Sequence, residues 1–174
     1  MTFSVALLLR VSNKAVFLIY LLTVLCALCV SVFMKERDFS MLQKINHIGI
    51  AVQSLDATVP FYRDALGMPF HGTEEVSEQK VRVAMLGIGE AKIELLEPTS
   101  PDSPIAKFLE KSGPGIHHIA YEVDDIEAAI AHMLQQGARM IDEQPRNGAH
   151  GSRIAFVHPK SSNGILTELC QCGH

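Results

Sequence analysis

The chain contains the same stretch twice, and that repeat restricts its fold more than any single motif does. His47-Ile48-Gly49-Ile50-Ala51-Val52 is matched by His118-Ile119-Ala120-Tyr121-Glu122-Val123. Ser54-Leu55-Asp56 then leads into an apolar-periodic run closed by Leu66-Gly67, and Asp125-Ile126-Glu127 into one closed by Gln136-Gly137. Matched strand, cap, helix and closing glycine predict two copies of one unit. Read at period two, Ile48, Ile50 and Val52 share a face, as do Ile119, Tyr121 and Val123; these faces suit packing beneath a helix. The other face carries His47, Gly49 and Ala51 in the first copy, and His118, Ala120 and Glu122 in the second. A histidine beside small residues leaves room for chemistry there.

The rest of each copy completes the unit. In the first, the pattern predicts a strand over 42–52 and a helix over 55–66, capped by Ser54 or Asp56, with Val59, Tyr62 and Leu66 inward. Phe61 and Tyr62 read as core and rim rather than ligand contacts. An extended arm over 68–76 and strands over 80–86 and 92–97 follow, the last two joined by a turn at Gly87-Ile88-Gly89-Glu90. After a polar connector and a short helix over 105–111, the second copy repeats the order. It gives a strand at His118, a helix over 126–136, an extended piece over 139–143, and a Gly-containing loop from Arg146 to Gly151. A final hairpin pairs 153–158 with 165–170. The expected architecture is α+β: two paired β-α-β-β-β repeats, about 42–98 and about 115–171, whose sheets curve into one cleft.

The segment before this domain is different. Residues 15–34 carry no charge, a run long enough to cross a bilayer, with Arg10 and Lys14 ahead of it. Two readings of the apolar extension 1–40 stand: a helical signal-anchor or signal peptide, with the basic side cytoplasmic and the domain exported, or a mis-assigned start with translation beginning at Met41. A membrane is a partner only on the first reading; on the second, the domain 41–174 is cytoplasmic. Four cysteines form no framework: Cys26 and Cys29 lie in the apolar run, Cys170 and Cys172 at the end, which points to a reducing compartment. A net charge of −4, no Trp and no Lys/Arg cluster argue against nucleic acid as a partner.

The last strand of each unit carries a carboxylate in a matching place, Glu94 and Glu168. If the units pair about a pseudo-twofold axis, His47, Glu94, His118 and Glu168 converge. Two imidazoles and two carboxylates suit a divalent metal of intermediate hardness, with coordination positions left for substrate or water. Glu97 lies on the opposite face from Glu94 and is excluded. His117 points away from His118 at period two, and His71, His132, His150, His158 and His174 have no counterpart in the repeat. They read as surface or structural, with His150 and His158 as rim candidates.

With these residues in place, the chain resembles the vicinal oxygen chelate superfamily, which includes glyoxalase I, extradiol dioxygenases and bleomycin-resistance proteins. Within it, HIGIAV, FYRDALG, EEVSEQKVRVAML, KIELLEP, GIHHIAYEVDDIEAAI and HPKSSNGILTEL resemble the methylmalonyl-CoA epimerase family from about Met41 to Gln171. That resemblance implies His47, Glu94, His118 and Glu168 as metal ligands; the second position is Gln in some members and Glu here. It implies Glu78 as one catalytic base and Glu168 as the other, besides its place on the metal. It further implies a CoA thioester substrate, a homodimer, and Co2+ as the ion, with Mn2+, Ni2+ or Mg2+ as alternatives. The implied reaction interconverts (R)- and (S)-methylmalonyl-CoA by α-proton transfer through a stabilised enolate. The alternatives are a glyoxalase I-like lactoylglutathione lyase, an extradiol dioxygenase and a non-catalytic binding protein. Glyoxalase I usually has an Arg in its first strand, where Gly49, Ile50 and Ala51 stand here. The dioxygenase is usually longer, and a binding protein would not need the ligand set.

Overall fold

The computed structural model of the protein describes residues 41–173. The expected N-terminal helix, Cys26, Cys29 and His174 lie outside the described residues. No helix among the described residues is long and apolar enough to cross a membrane.

Two units of like order share one sheet. The first comprises β1 (Leu42–Ala51), α1 (Leu55–Pro60), β2 (Phe70–Val76), β3 (Val81–Ile88) and β4 (Ala91–Pro98). After α2 (Pro104–Ser112) come β5 (Gly115–Val123), α3 (Ile126–Gln135), β6 (Arg146–Asn147), β7 (Arg153–Val157) and β8 (Leu166–Gln171). The strand order β2-β3-β4-β1-β5-β8-β7-β6 reads the same from either end in terms of the repeat. Antiparallel β1 and β5 form the seam, with His47 opposite Ala120 and Gly49 opposite His118. Each central strand pairs in parallel with the last strand of its own unit, β1 with β4 and β5 with β8. The expected pseudo-twofold arrangement is therefore present, as one continuous mixed sheet.

Helices α1 and α3 cover one face of that sheet, each started by a side-chain cap. Ser54 accepts from the Ala57 N–H and Asp125 from the Ala128 N–H, at 3.3 and 2.9 Å. Below α3, Ile126, Ala129 and Ile130 pack on Val123, Ala155, Val157 and Leu169. Below α1, Leu55 and Val59 pack on Ala84, Leu86 and Leu95. Each cluster closes over apolar residues spaced by two on the strands, as their alternation requires.

The first helix departs from expectation at its end. Pro60 has no N–H to donate, and the chain passes into a wider π turn over Phe61–Ala65, closed by Leu66 N–H to Phe61 C=O at 3.0 Å. That turn holds one residue more than an α turn, so the facing residues rotate out of register. Tyr62 stays half-buried against the core, whereas Phe61 and Leu66, 57% and 56% exposed, face outward. Leu66 is thus not an inner-face residue.

The second unit also differs at one place. The piece over 139–143 joins the sheet only through an isolated bridge from Met140 to Val157. The Ile141 and Asp142 N–H groups both donate to the Phe156 carbonyl, and the Asp142 carboxylate accepts the Phe156 N–H at 2.9 Å. A side chain has taken the backbone's place, so the ladder stops. Pairing resumes at β6, within what reads from sequence as loop.

Helix α2 lies on the other face. Ser103, fully buried, caps it by accepting from the Ala106 N–H, and Pro104 occupies its first turn. Ile105, Phe108 and Leu109 pack on Ala51, Val81, Val83 and Leu96. This helix fills part of the concave side and leaves a cavity of about 590 Å³ against the seam.

Candidate metal and active site

The four residues singled out by the repeat meet on the floor of that cavity. His47 and Glu94 come from β1 and β4, His118 and Glu168 from β5 and β8. The two imidazoles face each other through Nε2, 3.0 Å apart. Glu94 Oε2 stands 3.3 Å from His47 Nε2 and 3.6 Å from His118 Nε2. Glu168 approaches with one oxygen 3.7 Å from His47 Nε2 and the other 3.4 Å from His118 Nε2. The ligand atoms of His47, His118 and Glu168 lie within 4.8 Å of one another; Glu94 falls outside that tightest set while touching both rings. Glu97, as expected, lies elsewhere, accepting from the Leu55 N–H and pairing with Arg82.

Close approach of the rings depends on Gly49. A Cβ there would lie 2.2 to 2.6 Å from three atoms of the His118 ring. The small residue beside the first histidine is thus space reserved for the second.

All four side chains are buried, 3–6% exposed, where uncompensated charge is expensive. Their protonation reflects that. Burial pushes the Glu168 carboxyl up to about 8, with the Glu94 charge adding to the rise. Burial holds the His118 imidazole down to about 3 against the pull of Glu94. Burial also opposes charge on His47 and Glu94, but their mutual hydrogen bond and attraction outweigh it. His47 is raised and Glu94 lowered. Four groups with lone pairs to share thus converge at one buried point. Ligands about 2.1 Å from a shared ion stand roughly 3.0–3.4 Å apart when adjacent, close to the separations between these atoms. The residues present fit a divalent cation.

Glu78 sits apart, exposed on the turn Ser77–Gln79 between β2 and β3, where it lines the same cavity. His150 is a rim residue: its Nδ1 and backbone N–H both meet Glu74 Oε2, at 3.0 and 2.9 Å. Gln79 reaches the Asn147 carbonyl beside it, at 3.3 Å. His158 is not a rim residue; its Nδ1 accepts from the Lys160 N–H in a turn outside the cavity.

Sequence reasoning placed His117 wrongly. A register shift at the seam sets Gly49 opposite His118 but Ile50 opposite Ile116, so His117 is the extra residue of a bulge. It therefore lines the cavity beside His118, Nδ1 to Nδ1 at 3.0 Å, with its ring edge-on to Phe108. Burial lowers its basicity. Asn46 was missed too: it is buried, with Oδ1 2.9 Å from His47 Nδ1. The doubled His117-His118 was the available signal for the first; nothing in the pattern marked the second.

A paired β-α-β-β-β sheet with two histidines and two glutamates at its seam is the architecture of a superfamily whose model matches residues 46–156, described as Glyoxalase/Bleomycin resistance protein/Dioxygenase; the chain belongs to it. Within it, the chain falls in the methylmalonyl-CoA epimerase family. It is 44% identical over 133 residues to the ethylmalonyl-CoA/methylmalonyl-CoA epimerase of Cereibacter sphaeroides, covering 75% of this chain and 99% of that one. The crystal structure of methylmalonyl-CoA epimerase from Mycobacterium tuberculosis superposes with a TM-score of 0.76 at 38% identity, covering 80% of this chain and 95% of that one. A methylmalonyl-CoA epimerase in complex with methylmalonyl-CoA and NH4+ is 46% identical with a TM-score of 0.73, covering 76% and 96%.

Proposed function

We propose that the chain interconverts the epimers of methylmalonyl-CoA by moving the proton of the α-carbon, with a divalent ion held by His47, Glu94, His118 and Glu168. The observation that carries this reading is the convergence of those four buried groups at the floor of an open cavity. The relatives' names supply the substrate. A bound ion, Co2+ by family resemblance and Mn2+, Ni2+ or Mg2+ otherwise, supplies positive charge beside the neighbouring thioester and carboxylate oxygens of the substrate. The chain's own carboxyls move the proton. Glu168 comes from β8 at the cavity floor and Glu78 from the β2–β3 turn, so they reach the space from different walls. Epimerisation needs that arrangement: one group takes the proton from one face, and another returns it to the opposite face. Val81, Val83, Ile154 and Phe156 give the same cavity an apolar part of its wall. The proposal includes a homodimer acting in the cytoplasm, where CoA thioesters are found.

The test is exchange of the α-hydrogen of methylmalonyl-CoA in deuterated water, after chelation and after adding back Co2+. Exchange that requires the ion supports the reading; exchange absent under both conditions overturns the activity, and ion-independent exchange overturns the metal.

A further inference from the structure

His47 is held by a residue outside the proposed ligand set. Its Nδ1 lies 2.9 Å from Asn46 Oδ1. The orientation of that amide is fixed from its other end. Asn46 Nδ2 donates to Glu122 Oε2 at 2.8 Å and to Cys172 Sγ at 3.2 Å. An ionised carboxylate can only accept, so the NH2 must face Glu122 and the carbonyl must face the ring. A carbonyl in turn can only accept, so His47 Nδ1 must carry the hydrogen. The lone pair left for a cation is then the one on Nε2, which is the atom turned toward His118, Glu94 and Glu168.

We propose that Asn46, oriented by Glu122, is the positioning residue that sets the proton on His47 Nδ1 and presents Nε2 to the ion. This rests on the metal reading above. Metal-binding imidazoles commonly donate their second N–H to a fixed acceptor, which sets both tautomer and ring direction. Asn46 is 5% exposed, so little water competes with it for the ring N–H. Lys44 Nζ lies 3.9 Å from the same Glu122 oxygen. His117 occupies the corresponding place against His118, but a second imidazole can donate or accept, so it fixes no direction there.

The experiment combines nitrogen-15 NMR of the histidine rings with Co2+ titration, on the wild type, Asn46→Leu, Asn46→Asp combined with Glu122→Gln, and Glu122→Gln alone. In metal-free wild type, at a pH where the His47 ring is neutral, Nδ1 is expected to carry a hydrogen-bonded proton and Nε2 none. Asn46→Leu should lose that signal and bind Co2+ roughly 10- to 100-fold more weakly. Asn46→Asp combined with Glu122→Gln keeps an acceptor for the ring and a donor opposite the second oxygen, and should retain both the signal and most of the affinity, which loss of packing alone would not predict. Glu122→Gln alone can donate as well as accept, frees the amide to turn, and should fall between. A bare Nδ1 in the wild type overturns the inference even if the leucine variant fails to fold, and so does wild-type Co2+ affinity in a folded Asn46→Leu. If the wild type binds no Co2+ yet shows the Nδ1 proton, lost in Asn46→Leu, the positioning stands and the metal reading falls.

Discussion

Replacing Gly49 by alanine should damage the site while sparing the fold. The added methyl would lie 2.2 Å from His118 Cε1 and 2.6 Å from His118 Nε2, whereas ordinary contact begins at 3.4 Å. The ring or β1 must therefore retreat by about 1 Å, and overpacking of this kind costs about 1–3 kcal/mol. The consequence for the ion is larger than for the fold, because ligand distances hold to about 0.2 Å in a working metal site. A misplacement of roughly 1 Å is also enough to slow a reaction on the order of 100-fold. Expected results are a modestly lowered melting temperature in the metal-free protein, weakened Co2+ binding, and α-hydrogen exchange down on the order of 100-fold. Gly115→Ala is the control, since nothing lies within 4 Å of a Cβ at that position on the same seam. Wild-type Co2+ affinity and exchange rate in Gly49→Ala would refute the packing argument.

Three other perturbations test the same site. The His47→Ala, His118→Ala double variant should lose bound ion and activity but keep its circular dichroism spectrum; stoichiometric ion after dialysis would contradict the ligand set. Glu78→Gln should stop net epimerisation while one epimer still exchanges its α-hydrogen through Glu168, with ion content unchanged; epimerisation at the wild-type rate would remove Glu78 from the mechanism. The pH dependence of the metal-free protein follows from its buried carboxyl. Glu168 titrates near 8 in the fold against an ordinary value of 4.5. Below about 6.5 the extra proton on Glu168 is offset by the one His118 gives up on folding, since burial holds His118 down to about 3. The folded state holds more protons than the unfolded one between about 6.5 and 8, so stability should fall as pH rises through that upper window. Binding an ion at pH 7 should release roughly one proton or more, read by calorimetry in buffers of different ionisation enthalpy; no release would mean that Glu168 is already ionised or is not a ligand.

Much of the site was legible because a repeat converts sequence position into spatial symmetry. His47 and His118 occupy equivalent places, as do Glu94 and Glu168, and period two assigns each to the concave face. Ser54 and Asp125 each start a helix by accepting a hydrogen bond from the N–H three residues on, a contact within the reach of local sequence. Glu97 was excluded by the same alternation and lies with Arg82 on the helix side of the sheet.

What local pattern could not supply came from contacts between distant segments. The bulge that turns His117 into the cavity is a register shift of β5 against β1 between Gly49 and Ile50, which exists only once the two strands are paired. The early end of the 139–143 pairing arises where Asp142 captures the Phe156 N–H across a loop. Asn46 owes its role to Glu122, 76 residues away, because only that carboxylate fixes which end of the amide meets His47. Hydrophobic period and caps act over a few residues and are written in the chain. Register shifts, captured backbone groups and the direction of a buried amide are settled only when two remote strands are brought side by side.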